Sequence, residues 1–370
     1  MSERLIVSLA VMLCSYIMST VFVLPVRALA VRLGIMDYPG ERKSHSVPVP
    51  RMGGLAIFAS LLVVVWGSLY WLPYLQSSLL SSRLHESLRA ISNYVVLTQK
   101  LYALLAGALI VTAIGILDDV RGVRFSPSLK FAGQIAAAAL LLPAGIYMDL
   151  FSGTPWISMS LSVVWVVGIT NSFNLLDNMN GLSSGIALIC SGIFLVLVML
   201  RGEFFVALLF SAIIGSTLGF FQFNVGSGWI FMGDTGSLLL GFLLGSLSLV
   251  ARYVDPKEGS LFPVVAPLII LGLPIFDTIS VIIIRLREGR PVFRGDQMHL
   301  SHRLVRIGMT MPQAVWFNYL LAFSIAANAL LVLNSPLLDS ILAVVQVAAM
   351  VAMVTILMVT HVRNGNSSSP

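Results

Sequence analysis

Long apolar runs separated by short polar segments dominate this sequence and leave few folds open to it. One run, LYALLAGALIVTAIGIL at 101–117, contains no charged residue over a length that crosses most of a bilayer as a helix. Hydrophobic residues make up 58% of the chain and charged residues 10%, and the mean hydropathy is +0.95, far from the averages of soluble domains. The pattern predicts an all-α, polytopic membrane protein.

Counting the runs predicts a bundle of about eleven transmembrane helices. The predicted spans are 5–29, 53–74, 99–117, 129–148, 156–174, 181–200, 203–222, 235–251, 261–284, 312–333 and 337–360. We interpret 1–363 as one integral-membrane domain and the Asn- and Ser-rich 364–370 as a disordered tail. Cys14 and Cys190 both lie inside apolar runs, which excludes a disulfide framework.

The distribution of basic residues predicts the orientation of the bundle. The odd-numbered loops and the C-terminus carry 15 of the 22 Lys and Arg residues. Because basic residues favour the cytoplasmic side, we expect these loops and the C-terminus to be cytoplasmic and the N-terminus to lie outside.

The same odd-numbered loops hold most of the polar groups able to do chemistry. They are 37–54 (DYPGERKSHSVPVPRMGG), the Asp118–Asp119 pair with Lys130, 171–181 (NSFNLLDNMNG), 224–237 ending in FMGDTGS, and 294–304 (RGDQMHLSHRL). Polar and charged groups gathered at one edge of the apolar slab indicate a functional site. Adjacent carboxylates at such an edge suit Mg²⁺, which prefers oxygen ligands and often shares them with phosphate.

Each of these segments also has a purely structural interpretation. Asp177 among asparagines is typical of turns, and 233–237 could cap the following helix through Asp, Thr or Ser. His299 and His302 could bind zinc, although no third strong ligand lies nearby. The arginines at 285–306 could serve only as a topology signal or a contact to anionic lipid. Asp277, inside an apolar span, is either a polar contact within the bundle or an outer member of the site.

Taken together, the motifs resemble the polyprenyl-phosphate N-acetylhexosamine-1-phosphate transferases of glycosyltransferase family 4. The resemblance rests on the ordered set DD at 118–119, NxxNxxD at 171–177, FMGDTGS at 231–237 and RKxHxxPxPRxGG in the first loop, and it covers about 34–306. The loop at 299–304 is similar to the HxHHRL loop of the undecaprenyl-phosphate α-N-acetylglucosaminyl 1-phosphate transferase branch. These enzymes move a sugar phosphate from a UDP-sugar to undecaprenyl phosphate and release UMP.

The resemblance implies a role for each matching residue. It implies Mg²⁺, with Mn²⁺ as the alternative, held by Asp119 and Asp234, and catalytic roles for Asp118, Asp119 and Asp177. Asp118 would be the base or the group that orients the lipid phosphate, and the assignment between Asp118 and Asp119 stays open. Substrate-binding residues would be Lys130, Asn174, Asn180, Asn224, Phe231, His45, His299, His302 and Arg303. Phe231 would stack on uracil.

Two positions depart from the family pattern. The family usually has NxxNxxDGxDGL, whereas this chain has Asn180 in place of the second Asp, which puts the base contact at that position in doubt. The middle histidine of HxHH is Ser301, which leaves two imidazoles for the phosphates of the sugar nucleotide. Neither change removes one of the four aspartates, so we still expect catalysis.

The implied function is the first membrane step of cell-envelope polysaccharide synthesis at the bacterial inner membrane. Its partners would be a UDP-N-acetylhexosamine, with UDP-GlcNAc as the default, undecaprenyl phosphate and the lipid bilayer, and no nucleic acid. A homodimer is one alternative for the oligomeric state, and a covalent aspartyl-phosphate intermediate is the rival mechanism. The competing classes are a transporter or lipid flippase, which usually binds its substrate near the bilayer midplane between broken helices, and a non-catalytic lipid-binding scaffold.

Overall fold

The predicted class is confirmed: the computed structural model is almost entirely helical. It describes residues 2–39, 47–78, 94–148, 153–226, 228–251, 265–290, 298–332 and 337–366. These residues form thirteen α-helices and one pair of two-residue strands. The chain divides into two compact units, Met1–Arg252 and Tyr253–Pro370, which are described separately below.

The first unit contains eight helices and the strand pair. The strands, β1 (Met36–Asp37) and β2 (Val49–Pro50), pair antiparallel. The helices are α1 (Ser2–Arg32), α2 (Gly54–Ser78), α3 (Tyr94–Arg121), α4 (Pro127–Ala139), α5 (Pro155–Leu176), α6 (Leu182–Leu200), α7 (Phe204–Asn224) and α8 (Gly233–Val250). Two short 3₁₀ turns, Gly122–Arg124 and Leu142–Ala144, follow α3 and α4.

The second unit contains five helices. They are α9 (Ala266–Ile270), α10 (Gly272–Arg287), α11 (Leu300–Arg306), α12 (Met311–Val332) and α13 (Leu337–Asn366). Within this unit α12 packs against α9, α10, α11 and α13. The predicted tail at 364–370 overlaps the last three residues of α13 and otherwise lies outside the described residues.

Eight of the described helices are long and apolar enough to cross a membrane. These segments are Glu3–Arg32, Leu97–Arg121, Pro155–Leu176, Leu182–Leu200, Phe204–Asn224, Gly233–Val250, Met311–Val332 and Leu338–Met358. The other three predicted spans coincide with α2, with α4 and its following turn, and with α9 and α10. A polytopic membrane protein is therefore supported.

Prolines explain why two of the predicted continuous spans are broken. A proline inside a helix cannot donate to the carbonyl four residues earlier, and its ring collides with that carbonyl. Pro143 follows Ala139 by four residues, and α4 ends at Ala139. Pro274 follows Ile270 by four residues, and α9 ends at Ile270 before the chain resumes as α10.

Close helix packing in the first unit depends on glycine. Gly215 and Gly219 of α7 lie four residues apart on the face that meets α1, where an added Cβ would collide with the carbonyls of Met12 and Tyr16. Such spacing lets two membrane helices approach closely. The most buried of the eight spans is α8, with 78% of its residues inside the protein, and it packs most extensively against α3 and α5. Helix α8 is therefore the centre of this unit, and its first turn lies where α3 and α5 end.

Candidate active site

The first turn of α8 is capped by an aspartate from another helix. Asp119, near the end of α3, is 7% exposed and accepts three hydrogen bonds. Oδ1 accepts from the backbone N–H of Asp234 at 3.0 Å, and Oδ2 accepts from the N–H and the hydroxyl of Thr235 at 3.0 and 2.6 Å. Since the first N–H groups of a helix lack partners within the helix, a carboxylate stabilises them by hydrogen bonding and by its charge. The sequence interpretation that side chains of 233–237 cap this helix is therefore wrong, because the cap comes from α3.

Two glycines make this contact between α3 and α8 possible. Gly233 has a φ of +69°, and a Cβ there would collide with the Asp119 carboxylate. Gly115, one turn before the aspartate pair, lies against the backbone of Asp234 and Thr235, where a Cβ would overlap main-chain atoms. Any larger residue at either position would separate the two helix ends that carry the carboxylates.

Lys130 lies between two of the predicted aspartates. Its Nζ is 2.8 Å from Oδ2 of Asp118 and 3.2 Å from Oδ2 of Asp234, and it donates to Oδ1 of Asn174 at 3.0 Å. The ammonium therefore joins side chains from α3, α5 and α8. Asn174 completes the ring, because its amide nitrogen donates to Oδ1 of Asp234 and, at 2.9 Å, to the hydroxyl of Ser237.

Asp177, at the end of α5, lies in the field of the same cluster. Burial, together with the negative charges of Asp234 and Asp119, raises the pKa of the Asp177 carboxyl well above its usual range. The positive charge of Arg51 opposes this shift. Arg51 itself forms an ion pair with the buried Asp37 of β1, so the first loop contributes to the electrostatics of the cluster.

The first loop is joined to the segment before α8 by backbone hydrogen bonds. The N–H of Phe231 donates to the carbonyl of Pro50 at 2.8 Å, and the N–H groups of Gly53 and Gly54 donate to the carbonyls of Phe231 and Met232 at 2.9 and 3.0 Å. These bonds fix the segment that carries Phe231 and leads into Asp234. The Phe231 side chain is half-buried beside Gly228.

The two remaining predicted asparagines hold the loops around the cluster. Asn224 is 3% exposed, and its Oδ1 accepts from the N–H of Gly181 at 3.0 Å and from the hydroxyl of Ser184 at 3.2 Å. Its amide nitrogen donates to the carbonyl of Ile230 at 3.1 Å. Asn180 donates to the carbonyl of Gly226 at 3.0 Å. Asn224 thus joins the start of α6 to the segment that precedes α8. Direct substrate contact by Asn180 or Asn224 stays a prediction.

The predicted residues of the second unit form a separate set of contacts. Oδ2 of Asp277, in α10, lies 2.8 Å from Nδ1 of His299. Oδ1 of the same carboxylate accepts a hydrogen bond from the backbone N–H of Leu300 at 2.6 Å. Arg303 donates to the hydroxyl of Ser280 at 2.7 Å. His302 is partly exposed on α11. Asp277 is therefore a polar contact to the histidine loop, which agrees with both interpretations left open by the sequence.

The structure thus brings together Asp118, Asp119, Asp234, Lys130 and Asn174, with Asp177 in their electrostatic field. His45 lies outside the described residues. No individual role was predicted from the sequence for several supporting residues, although most of them lie in the motifs quoted above. They are Asp37, Arg51, Gly115, Gln134, Asn171, Thr235 and Ser237. Some left a signal: Gln134 is a lone amide in an apolar run, and it accepts a hydrogen bond from Asn171.

The donor set fits a hard divalent cation. In the part of the chain that the structure describes, four carboxylates influence one another here, one ammonium contacts two of them and one guanidinium acts on Asp177. Among the described residues, no three His, Cys, Asp or Glu side chains are arranged to hold a metal by themselves. One or two of these carboxylates could hold Mg²⁺, because this ion commonly binds few protein ligands while substrate phosphates and water complete its shell.

Comparison with known proteins gives the family of this chain. The family model for glycosyl transferase family 4 matches residues 101–252, the region that contains the four clustered aspartates and Lys130. A probable undecaprenyl-phosphate N-acetylglucosaminyl 1-phosphate transferase of Bacillus subtilis is 34% identical over 338 residues, covering 89% of this chain and 86% of the relative. The chain belongs to glycosyl transferase family 4.

Other members of the family show the same similarity over most of the chain. A decaprenyl-phosphate N-acetylglucosaminephosphotransferase of Mycobacterium tuberculosis is 31% identical over 331 residues, covering 82% of this chain and 77% of the relative. An undecaprenyl-phosphate α-N-acetylglucosaminyl 1-phosphate transferase of Salmonella typhi is 26% identical over 328 residues, covering 84% and 80%. This family 4 protein is therefore a membrane-bound glycosyltransferase, and its similarity extends well beyond the aspartate motifs.

Proposed function

We propose that this family 4 enzyme transfers N-acetylglucosamine-1-phosphate from UDP-GlcNAc to undecaprenyl phosphate and releases UMP. The observation that carries the proposal is the contact of Lys130 with Asp118 and Asp234 at the ends of apolar helices. The printed names of the relatives from Bacillus, Mycobacterium and Salmonella all combine a polyprenyl phosphate with an N-acetylglucosamine phosphate. The site and the relatives therefore support the same chemistry.

The proposed reaction forms one P–O bond and breaks another. An oxygen of the lipid phosphate attacks the phosphorus bonded to GlcNAc, and the bridging oxygen leaves with UMP. The lipid phosphate has a second pKa near 6, so near neutral pH it already carries most of the negative charge that a nucleophile needs. A strong base is unnecessary, and we assign Asp118 the task of orienting the acceptor phosphate next to the Lys130 ammonium.

Charge neutralisation is the main task of the remaining groups. We assign metal binding to Asp234 and to Oδ1 of Asp119, which accepts only one hydrogen bond and keeps a second lone pair. Bound Mg²⁺ would neutralise the diphosphate and stabilise the charge on the leaving UMP. Lys130 would donate to phosphate oxygens, since its ammonium has three donors. Asn174 would hold the Asp234 carboxylate in place, because its amide is bonded to it.

Three groups of residues complete the proposal by resemblance. Asp177, Asn180 and Phe231 would contact the uridine, with Asn224 fixing their loops. His299, His302 and Arg303 would donate to the donor phosphates, and His45 would assist from the first loop. Among the described residues, Nε2 of His299 has no hydrogen-bond partner, which leaves it available for such a contact.

We propose a bundle of eleven spans with the active-site loops in the cytoplasm, where UDP-sugars are made. Cysteine at Arg124 should then resist a membrane-impermeant thiol reagent in intact bacteria. Cysteine at Gly153 should react, because this exposed position belongs to a loop assigned to the outer face and has open space around it. The reverse labelling pattern would overturn the proposed orientation.

The transfer itself is tested with purified protein in detergent. UDP-GlcNAc labelled in the sugar is mixed with undecaprenyl phosphate and Mg²⁺, and we expect label in the organic phase with one UMP released per lipid product. EDTA should abolish transfer, and added Mg²⁺ should restore it. A panel of UDP-N-acetyl sugars identifies the donor, and no labelled lipid from any of them would contradict the proposal.

Two further arms separate the alternatives. Exchange of labelled UMP into UDP-GlcNAc without any lipid acceptor would favour a covalent aspartyl-phosphate intermediate over direct attack. Movement of the lipid or of the sugar nucleotide across proteoliposomes without UMP formation would favour the transporter class.

A further inference from the structure

A buried carboxylate in α10 holds the imidazole that precedes α11. Asp277 is 1% exposed and His299 is 4% exposed, and Oδ2 of Asp277 lies 2.8 Å from Nδ1 of His299. The other carboxylate oxygen accepts from the N–H of Leu300 at 2.6 Å. The aspartate is therefore bonded to both the side chain of His299 and the backbone of the next residue, so the ring has little freedom to turn.

This contact determines which ring nitrogen can meet a ligand. Oδ1 of Asp277 accepts from a backbone N–H, and we assign a proton to the Nδ1 atom that faces Oδ2, so that the carboxylate accepts at both oxygens. The hydrogen bond that one ring nitrogen makes commonly determines which nitrogen of a histidine carries the proton. Nε2 forms no hydrogen bond within the part of the chain that the structure describes, and it is the nitrogen left for an exogenous group.

The same face of α10 also holds a basic residue of α11. Ser280, one turn after Asp277, accepts from Arg303 at 2.7 Å and donates to the carbonyl of Asp277 at 2.9 Å. His299, just before α11, and Arg303, within α11, are both bonded to side chains on this face of α10. Two side chains of α10 thus orient an imidazole and a guanidinium. The guanidinium can donate to a phosphate oxygen as it stands, and Nε2 of His299 can do so when the ring also carries a proton there, a form that an adjacent phosphate anion favours.

We infer that Asp277 is a positioning residue for the transfer reaction. It touches no substrate, but it holds the His299 ring so that Nε2 is the nitrogen presented to a substrate phosphate. The inference rests on the proposed function, which gives His299 its substrate. A purely structural role is the poorer explanation, because a carboxylate inside an apolar helix is expensive and well-packed apolar residues can join helices at least as stably.

A double-mutant cycle separates the two roles. Asp277→Asn keeps the size of the side chain but cannot accept at both positions, so we expect kcat/KM for the donor to fall about 10- to 100-fold. The donor KM should rise, while the KM for the lipid should change less than about two-fold. In a His299→Ala background the same substitution should cost less than about two-fold, because the residue through which Asp277 acts is gone.

The control is Thr278→Val, which removes a neighbouring hydroxyl that makes no hydrogen bond to any described residue. This variant should keep wild-type kinetics. Asp277→Glu keeps a charged acceptor and should recover part of the activity that Asp277→Asn loses. An equal loss from Asp277→Asn in both His299 backgrounds, or a loss shared by donor and lipid, would assign Asp277 a purely structural role.

A second measurement does not depend on turnover. Nitrogen-15 histidine spectra of the wild-type protein, assigned with His299→Gln, should show a proton on Nδ1 of His299 bonded to a strong acceptor. A bare Nδ1 would overturn the inference even if the enzyme is fully active. Conversely, a wild-type enzyme that transfers no sugar phosphate would contradict the proposed function and leave this spectrum as the test of the contact.

Discussion

Two regions of the molecule use the same device with opposite electrostatic results. Near the end of α3, Asp119 accepts hydrogen bonds from the first N–H groups of α8, and in α10, Asp277 accepts from the first N–H of α11. Each aspartate thereby fixes the start of a later helix. A predicted functional residue lies at each of these starts: Asp234 in the first turn of α8, and His299 just before α11. We call the first region, with Asp118, Asp119, Lys130, Asp177 and Asp234, the aspartate cluster. We call the second region, where Asp277 meets His299, the histidine pair.

The difference lies in the balance of charges around each cap. Among the described residues of the aspartate cluster, carboxylates outnumber cations: Asp118 and Asp234 share the ammonium of Lys130 and Asp119 adds a third carboxylate. The pKa of the fourth, Asp177, is raised by burial and by the charges of its neighbours. In the histidine pair, one carboxylate meets an imidazole and lies near a guanidinium. Because unpaired charge is costly at the membrane edge, the first region suits a cation and the second suits an anion.

The largest effect should come from weakening the aspartate cluster at its centre. Asp234→Asn keeps the volume of the side chain but removes a charge that we assign to the metal, so we expect kcat to fall about 10²- to 10³-fold. Transfer of labelled GlcNAc-1-phosphate at saturating Mg²⁺ measures this loss. Asp339→Asn, at an exposed position of α13, should stay within about two-fold of wild type. Near-normal turnover of Asp234→Asn would remove this residue from the metal site.

A smaller loss should follow when the single ammonium of the cluster is removed. Lys130→Met leaves Asp118 and Asp234 without their shared partner, and one charge-assisted hydrogen bond corresponds to roughly 10- to 100-fold in kcat/KM. The Mg²⁺ concentration for half-maximal activity should change as well. Arg124→Gln removes an exposed positive charge shortly after α3 and serves as the control. Equal kinetics of the two variants would show that Lys130 is no part of the reaction.

The smallest effect concerns the helix contact that holds the cluster together. A methyl group at Gly115 would collide with the backbone of Thr235, so Gly115→Ala should destabilise the protein by about 1–3 kcal/mol. Gly168→Ala, in α5 with open space around it, should stabilise it by about 0.5–1 kcal/mol, because glycine is unfavourable inside a helix. Thermal unfolding in detergent compares them, and two stabilised variants would contradict the close packing.

The sequence predicted the residues of the aspartate cluster better than their contacts. Runs of apolar residues located most helices, and the aspartates stand out because charges are rare in such a chain. The hydrogen bonds of Asp119 to α8 could not be predicted, since they join residues about 115 positions apart through backbone N–H groups that have no sequence signature. The glycines at 115 and 233 were equally hidden, because the need for space is visible only when both helices are in place.

The breaks in two predicted spans were readable in principle but were missed. Hydropathy averages over a window and passes through Pro143 and Pro274, whereas the steric rule for proline places the helix ends at Ala139 and Ile270. The role of Asp277 was left between two interpretations for a different reason. Its partner, His299, lies 22 residues away beyond a polar loop, and only the fold brings the two side chains together.

The central claim is that the aspartate cluster holds a divalent cation and the histidine pair does not. Electron paramagnetic resonance of Mn²⁺, added to purified wild-type protein as a probe, tests this directly. We expect one bound ion per chain, a clear loss of binding in Asp234→Asn and unchanged binding in Asp277→Asn. Equal binding in wild type and Asp234→Asn, or a loss of binding only in Asp277→Asn, would contradict the account.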